Sequence, residues 1–222
     1  MRAMNKQSDE LGCYEPLIEA LATQGYAVVP QFITAEQVQQ LANRATELQQ
    51  LGLLQPANTG KNRLNANLRG DATFWLDENS THPTERAYLA LTDNLQLAIN
   101  RSLFLGLHAL ESHFAVYPAG AFYKKHLDQF SGDHANTQQA KQGDVRQVSC
   151  ILYLNNAWQA SDGGELRIYL DENDTTKTLD VRPEGGTLVL FLSSRFYHEV
   201  LPAKRPRMSL TGWFKTRGNS VF

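Results

Sequence analysis

The chain has 222 residues, 42% of them hydrophobic, with a formal net charge of −2 and a pI near 6.3. This length buries one substantial core, so one domain with extensions is expected, and the near balance of charge argues against sequence-independent binding to nucleic acid as the main activity. No apolar run approaches the roughly 20 residues that cross a bilayer; Cys13 and Cys150 are too few for a disulfide framework, and the polar opening Met1 to Glu10 is unlike a signal peptide, so the cytoplasm is the expected compartment.

In chain order, Tyr14 to Gln24 places Leu17, Ile18, Leu21 and Ala22 on one helical stripe that Gly25 stops, and "YAVVPQF" follows as a short strand. Thr34 with Gln37 three residues later makes a capping box for a helix from Ala35 to about Leu51, whose Val38, Leu41, Ala45 and Leu48 recur at helical spacing. Gln55 to about His82 fits neither template cleanly. Within it, "NRLNANLRGDATFWL" alternates enough for a two-stranded excursion with Gly70 near a turn, a candidate loop over a site. Helix resumes after Pro83, with Tyr88, Leu91, Leu95 and Ile99 on one face.

From Leu107 onward the texture changes to eight short strand candidates: "HFAVYP", "AFYKKHLD", "VRQVSCILYLN", "GELRIYL", "KTLDVRP", "TLVLFL", "YHEVLP" and "RMSLTGWFK". Gly, Pro, Asn and Asp separate them, and Gly163, Gly164, Gly185 and Gly186 read as hairpin turns. With no helices between them, they predict a jelly roll or barrel rather than a parallel sheet. The expected fold class is therefore α+β. Residues 1–106 supply helical support and a finger loop, and residues 107–222 a double-stranded β-helix core, in one domain.

Residues two apart in a strand share a face, so His126 and Asp128 of "KKHLDQ" project together. A lone His-X-Asp is more often a hydrogen-bonded couple than a metal clip, so a third ligand is required. His198, in a late strand that a rolled sheet brings opposite, is the best candidate. Two imidazoles and one carboxylate on one face of an octahedral ion leave three positions open, enough for a bidentate co-substrate and dioxygen. Nine residues beyond His198, Arg207 has the guanidinium that grips a carboxylate bidentately. In its strand Arg207, Ser209, Thr211 and Trp213 share one face, and Met208, Leu210 and Phe214 the other. His108, Glu111 and His113 are split by strand parity and read as structural or surface groups; His82 and His134 lie in polar, turn-rich stretches and read as solvated.

Taken in order, "LRGDATFWL", "YPAGAFYKKHLD", "CILYLNNAW", "GGELRIY" and "YHEVLPAKRPRMSLTGWF" make the stretch from Leu68 to Phe214 resemble the hypoxia-inducible-factor prolyl hydroxylases and their bacterial relatives, within the 2-oxoglutarate oxygenases. The resemblance implies an iron(II)- and 2-oxoglutarate-dependent dioxygenase, with ascorbate as an accessory reductant, that hydroxylates C4 of a proline in a protein. Elongation factor Tu is the partner suggested by the bacterial members. It implies that His126, Asp128 and His198 hold iron, that Arg207 and Tyr153 bind the distal carboxylate of 2-oxoglutarate, and that Ile151 and Leu166, with Thr211 on the polar face, wall the co-substrate. Tyr117, Trp213 and Arg146 would line the substrate side, Trp213 packing against the proline ring, while Arg69 and Asp71 of "RGD" would belong to a finger loop over the peptide. The segment after Asp128 is longer than in the animal enzymes, and one residue fewer separates Tyr117 from His126. An oxygenase of a small molecule or a nucleic-acid base, and a non-enzymatic metal-binding jelly roll, are the competing readings; iron storage needs no carboxylate anchor such as Arg207.

Overall fold

The computed structural model describes residues 14–57, 68–129 and 144–218. Helix α1 (Glu15–Gln24) carries Pro16 in its first turn and ends at Gly25, whose φ of 85° is the left-handed conformation that suits a residue without Cβ. It buries Leu17, Ile18 and Leu21, whereas Ala22 is exposed. Ala22 lies about 100° round the helix from Leu21, off the narrow stripe that faces the sheet. After β1 (Tyr26–Val29), helix α2 (Ala35–Gln50) opens with the expected capping box. The Gln37 amide donates to Thr34 Oγ1 at 3.2 Å, and the Thr34 amide to Gln37 Oε1 at 2.9 Å. Short strands β2 (Gln55–Pro56) and β3 (Ala72–Trp75) precede helix α3 (Pro83–Leu103).

The eight strands expected after Leu107 are all present: β4 (Leu107–Tyr117), β5 (Tyr123–His126), β6 (Val145–Tyr153), β7 (Leu166–Tyr169), β8 (Thr178–Val181), β9 (Leu188–Leu192), β10 (His198–Val200) and β11 (Arg207–Thr216). The first begins six residues before His113, where the sequence placed it. They form two antiparallel sheets, ordered β1-β9-β6-β11-β4-β3-β2 and β5-β10-β7-β8. This is the jelly roll, and the helical half of the chain extends its larger sheet with β1, β2 and β3. Of the expected two-stranded excursion, residues 62–67 lie outside the described residues. Its described part runs as β3 between β2 and β4, after an Arg69–Tyr123 bridge to the smaller sheet.

Strand alternation divides the interior in two. Outward residues of the larger sheet, among them Phe114, Val148, Cys150, Leu152, Leu210 and Phe214, pack with Leu17, Leu41, Leu48, Leu95 and Ile99 of the three helices. Inward residues, including Ala115, Ile151, Tyr153 and Val189, meet Leu166, Ile168 and Val200 of the smaller sheet. The helices thus stiffen one sheet from behind and leave the space between the sheets for a site. Truncating one of these Phe side chains to Ala costs about 3–5 kcal/mol. Among the described residues no helix is long and apolar enough to cross a membrane.

Candidate active site

The neighbouring strands β5 and β10 set His126 directly opposite His198, and Asp128 follows two residues beyond the end of β5. One ligand atom from each of the three residues lies within 4.8 Å of the others. His126 Nε2 is 3.5 Å from Asp128 Oδ1, and His198 Nε2 is 3.5 Å from Asp128 Oδ2. The other nitrogen of each ring is engaged: His126 Nδ1 with the Lys124 carbonyl at 2.8 Å, and His198 Nδ1 with the Phe196 carbonyl at 3.1 Å. A carbonyl only accepts, so both Nδ1 atoms carry a proton, and both Nε2 atoms are turned to the carboxylate.

Burial depresses His198 to about 4 and keeps it neutral. Burial alone would raise Asp128, but the facing imidazoles and the Ser149 hydroxyl outweigh it and hold the carboxyl below its usual range. Two imidazoles whose Nδ1 atoms are held by backbone carbonyls and one ionised carboxylate are a donor set that suits iron(II). Among the described residues this is the one cluster of its kind.

The triad opens onto a cavity of about 930 Å³ between the sheets. Arg207 lines it, only 2% exposed, and its Nε donates to the Gly164 carbonyl at 3.0 Å. Gly164 has φ +76°, and a Cβ there would come within 2.7 Å of Ala203 Cβ, so the loop that presents this carbonyl needs a glycine. The guanidinium carbon lies 5.2 Å from the Tyr117 ring centre and 5.0 Å from that of Tyr153. A guanidinium has five N–H donors, of which Gly164 takes one, leaving a fork for a carboxylate. Ile151, Leu166, Val200 and Thr211 complete this end of the cavity. Tyr153 stands behind the lining, fully buried, its hydroxyl without a hydrogen-bond partner. Burial raises its pKa, an effect the nearby guanidinium opposes.

Toward the mouth, Arg69 forms a two-pronged ion pair with Asp71, at 2.7 and 2.6 Å. Its guanidinium carbon sits 4.5 Å from the Tyr123 ring centre, and Tyr123 stacks on His126 at 3.6 Å. Arg69 lines the cavity; Asp71 holds it from outside the lining. Arg146 pairs with Glu111 at 2.6 Å and covers the Trp213 ring at 3.6 Å. Leu53, Leu68 and Trp75 edge the opening and are 45%, 36% and 52% exposed.

Every expected site residue except Tyr153 and Asp71 lines this cavity, and those two touch residues that do. Sequence reasoning passed over Tyr123, Trp75 and His113. His113, read as structural or surface, is 2% exposed and lines the cavity beside Trp75, because β4 pairs with β3 on one side and β11 on the other. Its inward parity was legible; its sheet neighbours were not. His82, read as solvated, is half-buried, with a ring nitrogen sealed from water and unpaired. His134 lies outside the described residues.

The family described as the 2OG-Fe(II) oxygenase superfamily matches residues 112–215. A crystal structure of a Pseudomonas putida prolyl-4-hydroxylase is 43% identical, covers 92% of this chain and 99% of its own, and superposes with a TM-score of 0.78. A Trichoplax adhaerens prolyl hydroxylase in complex with a hypoxia-inducible-factor peptide shares the fold, at 24% identity and a TM-score of 0.76 over 93% of this chain and 90% of its own. The Caenorhabditis elegans hypoxia-inducible factor prolyl hydroxylase is 27% identical over 90% of this chain and 28% of its own length, and rat Egl nine homolog 1 is 28% identical over 90% and 58%. The chain therefore spans well under two thirds of these two curated relatives. With the donor set, the cavity and the near full-length bacterial match in agreement, the chain belongs to the 2-oxoglutarate- and iron(II)-dependent oxygenase superfamily.

Proposed function

We propose that the protein is a prolyl 4-hydroxylase that acts on a proline within a protein substrate. The observation that carries this reading is that one cavity is lined both by the His126–Asp128–His198 cluster and by the buried Arg207. Likeness to the Pseudomonas putida prolyl-4-hydroxylase supports the choice of proline. Exposed Leu53, Leu68 and Trp75 around the mouth support a macromolecular substrate, since clustered exposed apolar side chains mark interaction surfaces.

In this reading His126, Asp128 and His198 hold iron, and Arg207 fixes the distal carboxylate of 2-oxoglutarate with the Tyr153 hydroxyl as a second donor. When bound, iron and 2-oxoglutarate would supply the oxidative chemistry that divides dioxygen, one oxygen atom going to the substrate carbon and the other into succinate as carbon dioxide is released. Ile151, Leu166 and Val200 exclude water around the co-substrate, and Thr211 offers a hydroxyl there. Trp213 packs against the proline ring with Arg146 braced over it, and Arg69, held by Asp71, shapes the entrance beside Tyr123.

Elongation factor Tu is the first partner to test, as the resemblance to bacterial members implies. Purified iron-loaded protein incubated with it should add one oxygen atom to a proline, read by mass spectrometry, only when both iron and 2-oxoglutarate are present. Succinate production that is indifferent to any proline-containing partner would remove the assignment.

A further inference from the structure

His113 and Trp213 each bury a polar ring nitrogen that has no partner: Nδ1 of the imidazole and Nε1 of the indole. Both rings line the active-site cavity, their centres are 5.6 Å apart, and they are 2% and 6% exposed. Buried polar atoms are nearly always paired, so two orphans side by side in a cavity wall mark a ligand that completes them. Indole N–H can only donate. Burial, with Arg69 and Arg146 adding to it, holds His113 well below the usual range, at about 4, so the ring is neutral and one nitrogen is free to accept.

One donor beside one acceptor matches the C=O and N–H of a single extended residue, which point to the same side of a strand. Proline has no N–H and cannot satisfy both. Resting on the prolyl hydroxylase reading, we propose that His113 and Trp213 bind the main chain of a non-proline residue flanking the target proline, the indole N–H donating to its carbonyl and the imidazole accepting from its amide. Trp75, 4.6 Å from His113 and half exposed, covers the pair from the mouth. His113 is then a specificity-determining residue that selects a free amide beside the proline and reads no side chain.

The test uses the best substrate from an array of short proline-centred peptides, resynthesised with N-methyl on the residue before the proline and, separately, on the residue after it. At one of the two positions N-methylation should lower kcat/KM of the wild-type enzyme about tenfold, the size of one lost hydrogen bond. The loss should fall on KM more than on kcat. In His113→Leu the parent peptide should be the poorer substrate by a similar factor, and N-methylation should cost nothing further. His113→Asn, which sets an amide atom near the Nδ1 position, should restore part of the discrimination, and it serves in place of the leucine variant if that one fails to fold. Equal turnover of parent and both N-methyl peptides by the wild type would mean that trapped water satisfies the two rings, and would overturn this inference alone. Absence of hydroxylation on every proline peptide would overturn the prolyl hydroxylase reading and this inference with it.

Discussion

The Ser149 hydroxyl donates to Asp128 Oδ2 at 2.6 Å and lies 2.9 Å from the Ser193 hydroxyl, so the carboxylate of the candidate iron site is braced from behind by two hydroxyls that water cannot reach. Ser149 belongs to β6 of the larger sheet, while the imidazoles of the triad come from the smaller one. The hydrogen bond therefore ties the two sheets together at the site itself, and it fixes which way the carboxylate faces.

Ser149→Ala should weaken iron(II) binding by about 10–100-fold, the usual penalty for losing a group that orients a metal ligand. Loss of a hydrogen bond to a charged acceptor should also cost about 1.5–3 kcal/mol of stability. Titration with iron(II) under anaerobic conditions measures the first and urea unfolding the second. Unchanged metal affinity would show that the carboxylate holds its direction without the hydroxyl.

Arg207→Ala should raise KM for 2-oxoglutarate by at least about 30-fold, since truncating one partner of a buried charged pair costs about 2–5 kcal/mol. Arg207→Lys should recover only a fraction of the loss, because an ammonium provides neither the planar fork nor the Nε donor that meets the Gly164 carbonyl. Steady-state kinetics with varied 2-oxoglutarate, at saturating iron, decides it. A lysine variant equal to wild type would refute bidentate anchoring.

Asp71→Ala leaves the Arg69 guanidinium without its partner in a place where the Asp71 side chain has no exposure and the Arg69 side chain 12%. Breaking such a pair costs about 3–5 kcal/mol. Arg69 also lies against Tyr123, which stacks on His126, so the released side chain should disturb the entrance and raise the peptide KM more than the 2-oxoglutarate KM. Urea unfolding and separate kinetics for the two substrates test both halves.

Much of this site can be read in the sequence because strand parity is local. Arg207 with Thr211 and Trp213 share a face of β11 by a rule that needs only a run of residues, whereas Asp128, expected beside His126 on the same strand, meets it from the bend that follows β5. The capping box of Thr34 and Gln37 is local in the same way. What stays hidden depends on which strands become neighbours. Trp75 reaches His113 only because β3 lies beside β4, and Ser149 reaches Asp128 only because β6 faces the end of β5 across the cavity. Ala22 fails for the opposite reason: the helical period places it near the apolar stripe, and the width of the face that meets the sheet is set by tertiary packing.

The buried His113 gives the fold an acid-sensitive step. Burial is the largest cause of its depression to about 4; Arg69 and Arg146 push the same way, and Asp71 and Asp128 oppose them. An unfolded histidine titrates near 6.5. Between these values the unfolded chain binds a proton that the folded chain refuses, so stability is full above about pH 6.5 and falls as the pH drops toward 4. Over that window the loss from this one group is about 3 kcal/mol. His113→Leu should remove that part of the acid limb while leaving the remainder, which other groups set. Urea unfolding of both proteins at a series of pH values between 7 and 4 gives the difference directly, and parallel curves would show that His113 takes up its proton in the folded state as readily as in the unfolded one.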